Sequence, residues 1–421
     1  FFCTLAAVIG TLYAIQRAAR LPPAEAMRAE SPTEFKKSLL ERLGVHSKLS
    51  FLSRIILRQL ERRPLRALCS TLGMSLSLSI LIFSFFMEDS MTYLMDVQYN
   101  QTQREDINFS FIEPRPYRAL EEISALPGVL TVEPIRSVSA LLKFNHYSKR
   151  SSITGLLSAP DLRRVIDDQL NAVPLPAKGI VISQNLADIL KISVGDILEA
   201  EVLVEKRPTL QIPVVAITHQ FIGSGAYINI NELSRLLDES PKVSAASISI
   251  DPNSSRALFK KLKEIPAIIG LNIVSVLRHI FEDVMAENLL KMVSTNIMFA
   301  SFISFGVIYN TSRIALSERG RELASLRVLG LTRREVAYIL FGELSIITII
   351  SIPLGMLIGY YLAFSMTSSM ESELFRIPFI INNSTYGYSV LIVLFSTILS
   401  FSLVWWQVDK LDLVSAQKGV E

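Results

Sequence analysis

The sequence predicts a polytopic α-helical membrane protein with a large extracytoplasmic α+β domain. Half of the 421 residues are hydrophobic and the mean hydropathy is +0.38, which is typical of membrane proteins. Four stretches reach or approach the ~20 apolar residues that cross a bilayer, at 66–87, 290–309, 337–365 and 386–407. One such stretch could be a buried helix of a soluble protein, but four together favour membrane insertion.

The N-terminal part predicts the end of a further span followed by a linker. The chain starts at Phe1 inside an apolar stretch, which we interpret as a truncated start. Four apolar residues of the linker fall at helical spacing, with arginines on another face: Leu49, Leu52, Ile56 and Leu60, and Arg54, Arg58 and Arg62. This pattern predicts an amphipathic helix on the cytoplasmic membrane surface. Pro64 predicts a break before the next span.

The distribution of charge predicts the orientation of the spans. Residues 17–65 hold eleven Lys and Arg against five Asp and Glu, and residues 310–336 hold six against three. The long segment 88–288 holds 20 against 25. Because basic residues concentrate in cytoplasmic loops, the first two segments are expected inside the cell and the long segment outside.

The long segment predicts two βαβ halves separated by an insertion. Strand-like and helix-like runs alternate at 107–112, 117–123 and 129–135, and again at 245–250, 254–262 and 269–274. This order favours a ferredoxin-like split βαβ subdomain. The insertion, about 137–240, contains short strand patterns and predicts a β-rich inserted subdomain. From Val274 a helical run passes directly into the span at Leu290 and predicts a continuous stalk.

The segment between the second and third spans predicts a short charged helix, a sharp corner and a new membrane helix. Residues 313–329 are good helix formers apart from Gly320, and Gly330 is placed to end the helix in a left-handed conformation. Thr332 and Glu335 have the spacing of a capping box. An ordinary solvated loop helix is the alternative. Within the third span, Gly355 and Gly359 have the spacing that permits close helix packing, within one chain or between chains.

The expected segments follow one another without gaps. They are the end of an upstream transmembrane helix (1–16), a cytoplasmic linker (17–65), a transmembrane helix (66–87), an extracytoplasmic domain (88–288), a transmembrane helix (289–309), a cytoplasmic coupling helix (310–336), a transmembrane helix (337–365), an extracytoplasmic loop (366–385), a transmembrane helix (386–407) and a cytoplasmic tail (408–421).

Three stretches carry a resemblance to a known family. The cytoplasmic stretch Ser312–Glu335 reads SRIALSERGRELASLRVLGLTRRE, and it is supported by the run from Leu57 to Arg66 and by Ile377-Pro378-Phe379. Together with the spacing of the spans, these resemble FtsX-like, MacB-type ABC transporter permeases over residues 31–421. The resemblance implies a MacB-like periplasmic core domain and a location in the bacterial inner membrane.

Residues 20–28 and 410–418 share a basic residue, a Leu, an Ala and a second basic residue at equal spacing. Chance similarity is one explanation. The other is that the chain is the C-terminal part of a two-repeat permease of about ten spans, whose first repeat lies upstream.

The resemblance also implies a function and its site residues. A cytoplasmic ABC ATPase dimer would bind ATP-Mg and push on the coupling helix, and the external domain would export or release an amphipathic substrate such as a lipid, lipoprotein or hydrophobic peptide. The implied coupling residues are Glu318, Arg319, Arg321, Glu322, Leu323, Leu326, Arg327, Leu329 and Gly330. Other implied partners are the upstream repeat or a second permease subunit, membrane lipids, and an external lipase, hydrolase or adaptor. The alternatives are a non-transporting regulator of a cell-wall hydrolase and an adhesion or receptor protein.

No motif predicts chemistry in this chain itself. The sequence has no G-x-x-x-x-G-K-[ST] phosphate loop and no G-x-S-x-G elbow, and its four histidines are scattered. We therefore expect no catalytic residues, no metal, no cofactor and no nucleic-acid partner, with ATP hydrolysis in another chain.

Overall fold

The computed structural model describes residues 51–409 except 63, 168, 205–206, 219, 222, 329 and 370–375, together with residues 8, 11, 12, 15 and 16. Most of the predicted span end at 1–16, most of the linker and nearly all of the tail lie outside this set. So do the two similar segments 20–28 and 410–418. Residues 1–64 form one compact unit and residues 65–421 a second, and the helix at Phe51–Arg62 belongs to the first.

The described helices and strands follow one another along the chain. They are α1 (Phe51–Arg62), α2 (Pro64–Asp96), β1 (Ile107–Pro116), α3 (Arg118–Ser124), β2 (Val129–Phe144), β3 (Tyr147–Leu156), β4 (Ile180–Ser183), α4 (Gln184–Leu190), β5 (Ile197–Val202), β6 (Thr209–Thr218), β7 (Ala226–Asn229), α5 (Ile230–Leu236), β8 (Lys242–Ile250), α6 (Ser255–Glu264), β9 (Ile268–Ile273), α7 (Val274–Val328), α8 (Arg333–Ser369) and α9 (Asn383–Asp409). A π-helical turn, Val97–Thr102, continues α2.

Four of these helices, α2, α7, α8 and α9, are long and apolar enough to cross a membrane, and together we name them the membrane bundle. Pro64 begins α2 at a position where a missing N–H costs nothing. More than half of the most apolar stretch of α2 is buried, against a third or less in the other three helices. Since a lipid-facing helix is exposed in the isolated chain, α2 is the central helix of the bundle.

The predicted short charged helix is not a separate element. Helix α7 runs unbroken for 55 residues from Val274 to Val328, so stalk, span and coupling segment form one helix. No proline occurs in this range, and each of its two glycines costs only about 1 kcal/mol relative to Ala, which is insufficient to stop the helix. At ~1.5 Å per residue it is about 80 Å long.

Four antiparallel strands form the part of the large domain that is joined directly to α2 and α7. Their order is β2-β8-β1-β9, with Ile107 of β1 opposite Ile248 of β8 and Ile273 of β9. Helices α3 and α6 bury Leu120, Ile123, Leu258 and Leu262 in one shared apolar cluster with these strands. We name this part the sheet lobe. Its strand order and directions are those of two interleaved βαβ units.

The second part of the large domain is a closed six-stranded barrel. Strand β2 is 16 residues long: residues 129–135 pair with β8 in the sheet lobe, and residues 136–144 pair with β3. The remaining pairings, β3–β7–β4–β6–β5–β2, complete the ring. Alternate residues of β5 and β6 point inward and fill the interior: Leu198, Ala200, Val202, Leu210, Ile212 and Val214. We name this part, with α4 and α5, the barrel lobe.

Candidate force-transmitting site

Seven of the nine coupling residues that the resemblance implies lie at the C-terminal end of α7. The backbone is helical through Glu318, Arg319, Arg321, Glu322, Leu323, Leu326 and Arg327. The side chains of residues 315–328 and the whole of Leu329 lie outside the described part. Their roles as coupling residues therefore stay predictions.

The corner after α7 has the geometry that the sequence predicts. Gly330 has φ +104°, a left-handed conformation that favours glycine. The Glu335 N–H donates to the Thr332 hydroxyl at 3.3 Å, and the Thr332 N–H donates to Glu335 Oε2 at 2.7 Å. This reciprocal capping box begins α8 three residues after the glycine. Gly330 and the capping residue Thr332 therefore lie immediately before the first residues of α8.

Helices α2 and α7 are joined by buried hydroxyl groups. The Ser77 hydroxyl donates to the Ala300 carbonyl at 2.6 Å and lies 2.7 Å from the Ser304 hydroxyl. Towards the ends of this interface, Ser70 bonds Thr311 at 3.0 Å and Asn296 donates to Ser84 at 2.7 Å. Small residues let the two backbones approach, and hydrogen bonds in an apolar environment then hold their register.

Helix α8 packs on the other side of α2 through two of its glycines, Gly355 and Gly359. A Cβ added at Gly355 would lie 2.9 Å from both Leu78 and the Ser75 carbonyl oxygen. One added at Gly359 would lie 3.0 Å from Ile82. The close approach made by Gly355 and Gly359 therefore lies within one chain. Helix α2 contacts α7 and α8 at once, so neither can shift without repacking against it.

The sheet lobe is connected to the bundle at the start of α7 and the end of α2. The Val274 N–H donates to the Asp106 carbonyl at 3.0 Å, and Arg278 donates to Asn100 at 3.1 Å and to Glu282 at 2.6 Å. The Asp106 carboxylate accepts from the Ile250 N–H at 2.8 Å. These bonds fix the beginning of α7 to β1, β8 and the π-helical turn.

A buried carboxyl lies at the same connection. Glu105 is 3% exposed, and its Oε2 has no hydrogen-bond partner among the described residues. Burial raises the pKa of the Glu105 carboxyl above its ordinary value, because a charged group is penalised away from water, and the nearby Arg163 opposes the shift. The protonation state of Glu105 therefore affects the stability of the connection between the sheet lobe and the membrane bundle.

The barrel lobe contacts the bundle through residues 376–382, which we name the external loop. Arg376 donates through its N–H to the Phe221 carbonyl at 2.8 Å and through Nη2 to Asp188 of α4 at 2.6 Å. The Phe221 ring meets Tyr93 of α2 at 5.9 Å between centroids. The barrel lobe thus touches the bundle through side chains and one backbone bond.

The same loop is anchored in the bundle by an aromatic residue and a carboxylate. The Phe379 ring lies between Phe86, Tyr360 and Phe364, at centroid distances of 5.7, 5.2 and 5.7 Å. Asp89 of α2 accepts hydrogen bonds from the Asn382 N–H at 3.0 Å and from the Thr385 hydroxyl. A carboxylate at this position also complements the dipole at the start of α9.

Sequence reasoning did not identify Asp89, Asp188 or Arg376. Their contacts join residues 188 and 293 positions apart, and no local pattern predicts such pairings. A weak signal existed, because Arg376 immediately precedes the family-like run Ile377-Pro378-Phe379. Within the described residues, no group of three or more His, Cys, Asp or Glu could hold a metal ion.

Four apolar helices attached to a folded α+β domain define this protein as a membrane protein. Residues 295–413 match the family model described as FtsX-like permease C-terminal. Residues 295–413 are therefore similar to the C-terminal region of FtsX-like permeases, and this match supports a permease role.

Two solved structures are similar to the chain. The extracellular domain of the noncanonic ABC-type transporter YknZ from Gram-positive bacteria is 14% identical, with 36% of this chain and 87% of that one covered and a TM-score of 0.29. The periplasmic region of MacB from Actinobacillus actinomycetemcomitans is 10% identical, with 44% and 95% covered and a TM-score of 0.30. The search of curated proteins found no match.

Proposed function

We propose that this chain is the permease subunit of an ABC transporter, in which a separate cytoplasmic ATPase dimer drives movement of an extracytoplasmic domain. The family match supports the permease role. The observation that carries the proposal is the continuity of α7, which joins the sheet lobe at Val274 to the coupling segment that ends at Val328. A continuous helix can transmit displacement along its axis because no loop interrupts it.

The ATPase would act on the last turns of α7 and on the corner at Gly330. The charged residues there, Glu318, Arg319, Arg321, Glu322 and Arg327, are suited to charge-assisted contacts with a partner protein. Leu323, Leu326 and Leu329 would pack on the partner or on the span ends. The excess of Lys and Arg in 310–336 favours the cytoplasmic side for this segment.

Charge reversal of this segment tests the proposal. In a purified complex with its ATPase, Glu322→Arg and Arg327→Glu should abolish the stimulation of ATP hydrolysis by the permease while leaving it in the membrane. The matched control is Glu121→Arg on the exposed surface of α3, which should leave stimulation unchanged. Equal stimulation in all variants would show that the end of α7 does not couple to the ATPase.

The substrate that we propose is amphipathic: a lipid, a lipoprotein or a hydrophobic peptide, taken from the outer side of a bacterial inner membrane. Its support is the family resemblance. Reconstitution of the complex in liposomes, with ATP-dependent release of a fluorescent lipoprotein as the readout, tests it. Stimulated hydrolysis without release of any amphipath would instead favour a regulator that acts on an external enzyme.

A further inference from the structure

A groove on the outside of the membrane bundle has the chemistry of a lipid site. It lies between α8 and α9, has a volume of about 470 Å³ and is lined by Pro353, Met356, Leu357, Tyr360, Tyr361 and Tyr386. Leu357 is 55% exposed and Tyr361 is 60% exposed, so the groove opens on the surface that faces the bilayer. None of these residues belongs to the coupling segment.

The position of the groove along α8 gives its depth in the membrane. With ~1.5 Å rise per residue, Tyr360 lies about 35 Å from the start of the span at Ala337, beyond a hydrocarbon core that is ~30 Å thick. Pro353 lies about 10 Å deeper. The tyrosine end of the groove is therefore at head-group level on the side opposite the coupling segment, and the proline end is within the acyl chains.

The lining residues change character along the same direction. Three tyrosines, Tyr360, Tyr361 and Tyr386, line the shallow end, whereas Pro353, Met356 and Leu357 form an apolar floor. Tyrosine is enriched at membrane interfaces because its ring is apolar and its hydroxyl bonds polar groups. The apolar floor offers few hydrogen-bond partners to water. If the floor were unoccupied, its side chains would lose dispersion contacts, so an apolar occupant is favoured.

We propose that the groove is a binding site for one phospholipid of the outer leaflet, with an acyl chain along Pro353, Met356 and Leu357. Its phosphate and ester oxygens accept hydrogen bonds from the tyrosine hydroxyls. The rings are held in place for this: Tyr360 meets Tyr361 at 5.8 Å and Phe379 at 5.2 Å, both edge to face. The contact between Tyr360 and Phe379 connects the lining of the groove to the external loop. The proposal requires membrane insertion and is independent of ATPase coupling.

Photolabelling of the whole chain in nanodiscs tests the proposal. The probe is a phosphatidylethanolamine with a photoreactive group on one acyl chain, mixed into unlabelled phospholipid, and labelled residues are mapped by mass spectrometry. We expect labelling of Met356 and Leu357 to exceed that of Leu391 and Ile398, which are each 62% exposed on α9 and represent bulk lipid contact.

Substitutions in the groove distinguish specific binding of one lipid from non-specific contact with bulk lipid. Leu357→Trp fills the floor and should reduce groove labelling to the level of bulk contact, whereas Ile398→Trp should leave it unchanged. Tyr360→Phe with Tyr361→Phe keeps the shape, and native mass spectrometry should show loss of the retained phospholipid. Equal labelling of the groove and of Ile398, or retention of the phospholipid by the double tyrosine variant, would overturn the proposal.

Discussion

The two lobes of the large domain are attached to the membrane bundle in different ways. The sheet lobe is covalently continuous with it, since β1 follows α2 through the π-helical turn and β9 runs directly into α7. The barrel lobe reaches it through the Arg376–Asp188 ion pair and the Phe221–Tyr93 contact. A displacement of α7 must therefore move the sheet lobe, while the barrel lobe follows only as far as its side-chain contacts and its link to the sheet lobe hold.

The largest effect is expected at the link between the lobes, where a buried ion pair lies beside the crossover of β2. Arg136 donates to both carboxylate oxygens of Glu239, at 3.0 and 3.2 Å, and the two side chains are 3% and 7% exposed. Glu239→Leu leaves the arginine charge buried without its partner. Hydrogen exchange of the barrel amides should show an opening free energy lower by about 3–5 kcal/mol.

The double variant Arg136→Met with Glu239→Leu is the control for this prediction. Replacing both partners by apolar groups removes the uncompensated charge and should restore most of the loss. A loss below about 1 kcal/mol in the single variant would mean that the pair does not hold the lobes together.

The second largest effect is expected in the membrane bundle, to which both lobes are attached. Gly355→Leu places side-chain atoms against Leu78 and the Ser75 carbonyl, and overpacking of this kind costs about 1–3 kcal/mol. Thermal unfolding in detergent should occur at a lower temperature. Gly306→Leu, at a helical glycine with nothing within 4 Å of an added Cβ, should unfold as the parent protein does; equal effects of the two would contradict close packing of α2 and α8.

The third prediction concerns the pH dependence of the covalent attachment. The pKa of Glu105 is raised by burial, so the folded protein holds this proton more tightly than the unfolded chain does, and stability falls as pH rises from the ordinary value near 4.5 through the folded value. Glu105→Gln should remove this loss of stability, because the glutamine side chain does not ionise.

The measurement for Glu105 is the opening free energy of the β1 amides by hydrogen exchange at several pH values. The variant should be more stable than the parent at pH 7.5, with a difference that shrinks as the pH is lowered. Glu121→Gln, at an exposed position of α3, should not reproduce this difference. A difference that is independent of pH would show that the Glu105 charge is not responsible.

The smallest effect is expected at the non-covalent attachment. Arg376 and Asp188 are 22% and 49% exposed, and partly exposed pairs contribute about 0.2–1 kcal/mol. Asp188→Asn should broaden the distance distribution between spin labels at Ser193 and Ser384, measured by electron paramagnetic resonance. Asp161→Asn, at an exposed pair with Arg104 within the large domain, should leave the distribution narrow, and an unchanged distribution in Asp188→Asn would contradict this attachment.

The contrast between the lobes also shows what the sequence can predict. The spans, the strands of the sheet lobe, the left-handed Gly330 and the Thr332–Glu335 box follow from local patterns, namely hydropathy, alternation, glycine placement and cap spacing. The structure has four helices that are long and apolar enough to be these spans, and it shows strands at 107–116 and 242–250, the left-handed Gly330 and the capping box.

Other features depend on contacts between distant residues and were not predicted. Closure of the barrel depends on the extension of β2 to Phe144 and its hairpin with β3, whose turn residue Asn145 has φ +54°. The Arg376–Asp188 and Asp89–Asn382 contacts depend on how the lobes and helices meet. Such pairings arise from tertiary packing, which overrides local propensity.

Closure of the barrel has a consequence for the behaviour of the protein while it is being made. A ring of strands presents no unpaired N–H and C=O groups along its sides, so neighbouring chains cannot add a strand to it and begin to aggregate. In the sheet lobe, by contrast, the six-residue β9 ends the sheet, and its short length limits how far a foreign strand could pair. The barrel lobe, which is attached to the membrane bundle less firmly than the sheet lobe, is thus better protected against association with other chains.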